Sequence, residues 1–208
     1  MFYGGKMMDK IVVTIGRQYG SGGKKIGEML AKELGIPCYD KELLTQAAKN
    51  IGFCEEIFET HDEKPVNSFL YSLGVGGYVG ETTPLNHKLF LAQFDAIKEL
   101  ADKGSCVIIG RCADYALEND ENTVNVFVYG DLEDRIERAV NEYDIDPAKA
   151  KEIVLKTDKK RSSYYNFYSG KKWGAAESYD LSVNSSCIDV GGTVEVIKKM
   201  IEVRISKK

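Results

Sequence analysis

Gly16-Arg17-Gln18-Tyr19-Gly20-Ser21-Gly22-Gly23-Lys24-Lys25 is the stretch on which the fold turns. Before it stands Ile11-Val12-Val13-Thr14-Ile15, a β-branched run that suits a strand buried on both faces. After it, Ile26, Met29, Leu30 and Leu34 recur at helical spacing, and Gly35 offers a stop. Glycines between a buried strand and an amphipathic helix let backbone N–H groups turn toward an anion, and the helix N-terminus adds partial positive charge. The loop reads as a phosphate cradle; a tight turn that merely uses glycine is the plainer alternative.

The alternation continues down the chain. Ile36-Pro37-Cys38-Tyr39 reads as a second strand ending at Asp40. Phe90, Phe94, Ile97 and Ala101 mark a helix that stops near Gly104, and Cys106-Val107-Ile108-Ile109 is a buried strand ending at Gly110. Val124 to Tyr129 makes another strand, followed by a charged helix from Leu132 to Tyr143. Leu181-Ser182-Val183 is a last strand, and a helix carrying Val194, Ile197, Met200 and Ile201 follows. The pattern predicts one α/β domain over residues 1–208, a parallel sheet with helices on both faces. Ligands of such sheets bind at the carboxyl ends of the strands, here Gly16, Asp40, Gly110 and Gly130. Residues 41–85 and 147–178 break the alternation and read as excursions from the core.

Composition narrows the classes. With 208 residues, 43% hydrophobic and 29% charged, the chain is an ordinary globular protein, too apolar for disorder. No run approaches the ~18 apolar residues of a membrane span, and Met1 to Lys10 lacks the apolar stretch of a signal peptide. Cys38, Cys54, Cys106, Cys112 and Cys187 are scattered and odd in number, which fits reduced thiols in the cytoplasm and neither a disulfide framework nor a zinc site. His61 and His87 have no partner at metal-ligand spacing, so no protein-held metal is expected. A formal charge of -4 argues against a surface that tracks nucleic acid throughout. The average conceals an asymmetry, because Lys149 to Lys172 holds eight basic residues against Glu152 and Asp158, a net +6. Glu118 to Asp146 and Glu55 to Glu63 are correspondingly acidic.

Beyond the loop, further segments share one pattern: Ile26-Gly27, Leu34-Gly35-Ile36-Pro37, Tyr39-Asp40, Gly110-Arg111-Cys112-Ala113-Asp114-Tyr115, Arg161-Ser162-Ser163-Tyr164-Tyr165, Gly170-Lys171-Lys172-Trp173-Gly174 and Tyr179-Asp180-Leu181. Together with Arg17 to Gly23, and in this order, they resemble the cytidylate kinase-like proteins, a branch of the P-loop nucleoside monophosphate kinases. The resemblance spans roughly residues 10 to 205, with 41–105 contributing little. It implies a P-loop NTPase core of the nucleoside monophosphate kinase type, a helical acceptor-binding excursion over 41–85 and a lid over 147–178. It also implies ATP and Mg2+ as cofactors and small-molecule nucleotides as partners, CMP and dCMP among the acceptors.

The standard phosphate loop reads G-x-x-x-x-G-K-[ST]. Aligned on Gly20-Ser21-Gly22 without gaps, this chain puts Gly23 at the lysine and Lys24 at the hydroxyl, leaving Ser21 or Thr14 as the hydroxyls at hand. Of the R-D-x-x-D-x-x-R lid run of authentic cytidylate kinases, only Asp158 remains within Thr157 to Tyr164.

The resemblance gives roles to particular residues. Gly16, Arg17, Gln18, Tyr19, Gly20, Ser21, Gly22, Gly23, Lys24 and Lys25 take the ATP phosphates, with Lys24 reaching the γ-phosphate. Arg111 holds the acceptor phosphate through its planar fork, beside Asp40 and Asp114. Arg161 closes over the transferring group with Lys159, Lys160, Lys171 and Lys172, and Arg135 and Arg138 contact phosphates. Each role has a structural alternative. Arg111 pairs with Asp114; Asp40 caps a helix whose first core residue is Leu43; Arg135 and Arg138 pair with Asp131 or Glu142. Tyr164, Tyr165, Phe167, Tyr168 and Trp173 stack on a base, bind single-stranded RNA or, the favoured reading, pack a helical lid on the core or a second subunit. The leading function is an ATP-dependent phosphotransferase. Its rivals are a nucleotide-binding regulatory module without catalysis and an RNA-interacting protein using Lys159 to Trp173.

Overall fold

Val12–Arg17 (β1) forms the middle of a five-stranded parallel sheet in the computed structural model, which describes residues 10–50 and 85–207 and, ahead of them, a short antiparallel ribbon of Phe2–Tyr3 with Lys6–Met7. The Glu55 to Glu63 run, His61 and Cys54 lie outside the described residues, as does most of the expected 41–85 excursion. After β1 come Gly23–Leu34 (α1), Cys38–Tyr39 (β2), Lys41–Asn50 (α2), Leu85–Lys103 (α3), Cys106–Ile109 (β3) and Ala113–Ala116 (α4). Thr123–Tyr129 (β4), Leu132–Tyr143 (α5), Pro147–Ser169 (α6), Leu181–Asn184 (β5) and Ser185–Ser206 (α7) complete the chain.

The strand order is β2-β3-β1-β4-β5, with every pairing parallel. The chain steps from β3 over β1 to reach β4, so the turns after β1 and β3 meet at the carboxyl edge. Such a reversal of order opens a crevice there. Register fixes the two faces. Val13 lies opposite Val107 and Val124, and Ile15 opposite Ile109 and Val126. These rows pack on Ile26, Leu30 and Leu34 of α1 and on Val194, Ile197 and Ile201 of α7. Val12, Cys106 and Ile108 face the other way, onto Leu44 of α2, Ile97, Leu100 and Ala101 of α3, and Ala113 of α4. A strand buried on both faces needs apolar residues at every position, which explains the unbroken β-branched runs. The thiol of Cys106 sits in that layer as a small hydrophobe, its pKa pushed up to about 12 by burial.

Within the expected lid, 147–178, residues 147–169 form one 23-residue helix. Asp146 caps it, accepting from Ala148 N at 3.0 Å, Pro147 occupies the first turn, and Gly170 ends it at φ +68°. Its apolar stripe is short. Tyr164, Tyr165 and Tyr168 are buried, and the ring of Tyr168 stacks on Phe90 of α3 at 3.9 Å. These aromatics pack the helix on the core, as the favoured reading held; Phe167 alone of the helix's aromatics is exposed. His87 stacks on Tyr168 at 6.0 Å and is structural.

One expectation in α2 is corrected. Asp40 does cap the helix, but Leu43 is 46% exposed and Leu44, one position on, is fully buried. Truncation tests that register. Leu44→Ala should cost about 2–5 kcal/mol in denaturant unfolding, and Leu43→Ala about 0.5 kcal/mol or less. Equal costs would contradict it.

Candidate active site

The glycine loop runs from the end of β1 to the start of α1, and five consecutive carbonyls along it are tied to side chains. Arg161 Nη1 donates to Arg17 O (3.2 Å), Ser21 Oγ to Gln18 O (2.8 Å), Arg135 Nη1 to Tyr19 O (3.3 Å), Arg138 Nη1 to Gly20 O (2.5 Å) and Ser185 Oγ to Ser21 O (2.7 Å). In a trans peptide the N–H points opposite to the C=O, so fixing these oxygens turns the following amides the other way. Gly20 and Gly22 take φ +77°, a conformation that suits glycine. A Cβ on Gly20 would also run into the backbone carbonyl of Arg135. At α1 the amides of Gly23, Lys24 and Lys25 have no intrahelical acceptor, as in any first turn, and no side chain caps the helix.

An anion already sits on this loop. Asp158 of α6 accepts from Tyr19 N at 2.7 Å through Oδ1, while its Oδ2 pairs with Arg135 Nη1 at 2.5 Å, both side chains being largely buried. Arg135 and Arg138 therefore act on the loop backbone and on Asp158, not on Asp131; Arg138 Nε also lies 3.9 Å from Glu142. Lys24 was expected to reach the γ-phosphate. Its ammonium instead pairs with Asp40 Oδ2 at 2.8 Å and lies 3.8 Å from Glu28. The reason is its place in the first turn of α1, on the side facing the end of β2. The hydrogen bond it donates to the Asp40 carboxylate raises the Lys24 pKa. Burial would raise that of Asp40, but Lys24 and the amides of Leu43 and Glu42 together hold it below the usual carboxylate value. Lys25 lies 3.5 Å from Glu142.

At the end of β3 the chain takes three successive left-handed residues, Gly110 (φ +77°), Arg111 (φ +60°) and Cys112 (φ +54°). Non-glycine residues in that region cost of order 1–3 kcal/mol each, a strain that clusters at functional sites. The turn carries Arg111, which is 7% exposed, against the buried aromatics. Beside it, Asp114 accepts from Tyr165 Oη at 2.6 Å, and burial raises the Asp114 carboxyl above its ordinary value despite that bond.

Two cavities open on these groups. One, of about 260 Å³, is lined by the loop from Arg17 to Gly20, by Gly22 to Lys24, and by Tyr143 and Arg161. The other, of about 40 Å³, is lined by Arg17, Arg111, Asp114, Arg161 and aromatic rings including Tyr164 and Trp173. Arg17 and Arg161 border both. Of the expected lid cations only Arg161 reaches the site, and its buried Nε has no hydrogen-bond partner among the described residues. Lys159, Lys160 and Lys172 are exposed, and Lys171 pairs with Glu118 at 2.9 Å. Sequence reasoning missed Asp158 as a partner of the loop and Ser185 as an anchor. Ser185 directly follows the last strand, so the rule that strand ends gather ligand-site residues pointed to it.

The profile of the cytidylate kinase-like family matches residues 12–187. A cytidylate kinase of Archaeoglobus fulgidus is 25% identical over 197 residues, covering 92% of this chain and 95% of its own. An uncharacterized protein of Eubacterium ventriosum of known crystal structure is 29% identical, with a TM-score of 0.73 over 93% of this chain and 99% of its own. The shikimate kinase of Bacteroides thetaiotaomicron, 13% identical over 93% of this chain and 99% of its own, has a TM-score of 0.52 and shares the fold. No helix among the described residues is long and apolar enough to cross a membrane.

Removing Asp158 tests the loop's tie to α6. Asp158→Ala leaves the buried Arg135 without its carboxylate and should cost about 3 kcal/mol or more in thermal or denaturant unfolding. A loss below about 1 kcal/mol, the range of an exposed pair, would contradict the buried geometry.

Proposed function

The chain belongs to the cytidylate kinase-like family, and from that premise we propose that it moves the γ-phosphoryl group of ATP to a nucleoside monophosphate, with CMP and dCMP the first acceptors to consider. The observation that carries the reading is the pair of cavities bordered jointly by Arg17 and Arg161 at the carboxyl edge of the sheet. The larger takes the ATP phosphates on the loop amides, one of which already binds a carboxylate oxygen of Asp158. The smaller, lined by Arg17, Arg111 and Arg161, takes the anionic end of the acceptor.

Transfer is in line. An acceptor oxygen bonds to Pγ as the bond from Pγ to the β,γ-bridging oxygen breaks and ADP leaves; a phosphate dianion acceptor has no proton to lose. Charge on the moving phosphoryl oxygens is stabilised by preorganised cations, a role that suits Arg111 and Arg161. The residues present do not fit a protein-held Mg2+ of the standard kind. The position of the usual hydroxyl carries Lys24, a cation with donors only and no lone pair to give a metal. Among the described residues no group of His, Cys, Asp and Glu gathers to hold a metal.

The same departures favour, as a second reading, a nucleotide-binding module without turnover. A product assay with ATP, Mg2+ and a panel of nucleoside monophosphates and small metabolites separates the two. The expected result is acceptor-dependent ADP formation, reduced about 10²–10³-fold in kcat/KM by Arg111→Ala or Arg161→Ala. ATP binding with no acceptor-dependent ADP on any compound would favour the module.

A further inference from the structure

Gly23 stands where the standard loop has its phosphate-binding lysine, yet the space above it is filled. A Cβ on Gly23 would lie 2.5 Å from Arg17 Cβ and 2.9 Å from Arg17 Cγ. Further along the same side chain, a Cβ on Gly110 would run into Arg17 Nη1, with Arg17 Cζ 2.9 Å away. The stem of Arg17 therefore lies on Gly23 and its guanidinium on Gly110, at the turn that carries Arg111. Its track leads from the larger cavity to the smaller, and it lines both. The two lysines that follow Gly23 are turned to carboxylates outside the loop, Lys24 to Asp40 and Lys25 to Glu142.

We propose that Arg17 is the cation that binds the terminal phosphate of a nucleoside triphosphate, supplying from the start of the loop the charge that the standard loop supplies from its end. Gly23 is glycine because a side chain there would displace Arg17. This rests on the reading of the loop as an ATP site and names the group that recognises the triphosphate. A guanidinium suits a place between two cavities, because its fork presents two parallel donors to phosphate oxygens where an ammonium acts as a point charge. Arg161, whose Nη1 holds the Arg17 carbonyl at 3.2 Å, fixes the backbone from which that side chain starts.

The test is calorimetric binding of ADP and of the non-hydrolysable β,γ-imido analogue of ATP to the full chain and to Arg17→Ala, Arg17→Lys, Gly23→Ala and Lys24→Ala. The wild type should prefer the triphosphate. Arg17→Ala should lose about 10–100-fold in triphosphate affinity and much less for ADP, the range of one or two charge-assisted hydrogen bonds. Arg17→Lys should recover part of the preference, and Lys24→Ala should keep it. Gly23→Ala, with Arg17 still present, should lose the preference, and Arg17→Ala combined with Gly23→Ala should lose no more than Arg17→Ala alone. If Arg17→Ala does not fold, Arg17→Lys and Gly23→Ala decide the matter through the same ratio. Wild-type binding of both nucleotides with the preference intact in Arg17→Ala, or abolished in Lys24→Ala, overturns the assignment to Arg17 alone. Failure of the wild type to bind either nucleotide overturns the ATP-site reading and this inference with it.

Discussion

Peptide orientation in the segment Arg17 to Ser21 is the constraint on which the site depends. A loop binds an anion only if its N–H groups face inward together, and nothing in a glycine-rich sequence enforces that by itself. Here the carbonyls are held from the other side by Ser21 within the loop, Arg135 and Arg138 of α5, Arg161 of α6 and Ser185 of α7. Arg135, Arg138 and Ser185 reach the loop because the strand order puts the end of β4, which α5 follows, beside the end of β1, and the end of β5, which α7 follows, beside that of β4. Sheet topology thus sets the direction of individual peptides in the loop, among them that of Tyr19, whose amide meets the Asp158 carboxylate.

The charge distribution takes on a different meaning in this light. The +6 segment suggested a lid whose lysines meet a polyphosphate, yet Lys159, Lys160 and Lys172 lie exposed and Lys171 is paired with Glu118. What reaches the site is arginine. Arg17, Arg111, Arg161 and the α5 pair Arg135 and Arg138 come from four different parts of the chain and converge on one edge of the sheet. Arginine is the residue for such a place, since its weakly hydrated fork binds carbonyls, carboxylates and phosphates alike at modest desolvation cost.

Most of the core was legible, because strands buried on both faces declare themselves as β-branched runs and amphipathic helices by their spacing. The helix Leu132–Tyr143 and the strand Cys106–Ile109 were read to the residue, and Gly35 as a stop. The place of the glycine loop was legible too, between the first buried strand and the first helix. The directions of long side chains were not. Nothing in the sequence paired Lys24 with Asp40, distant along the crossover yet 2.8 Å away, and Arg135 gave no sign of a partner 23 residues on. Helix α6 carries no continuous aliphatic stripe, its buried positions being Ala150, Val154, Tyr164, Tyr165 and Tyr168.

The most direct measurement is an amide-resolved NMR titration of the full chain with the β,γ-imido analogue of ATP. If the pinned carbonyls aim the loop amides at a phosphate site, the largest shifts should fall on Gly20, Gly22, Gly23 and Lys24, at the mouth of the 260 Å³ cavity. Saturating ligand with those amides unmoved, and the largest shifts elsewhere on the protein, would contradict that geometry.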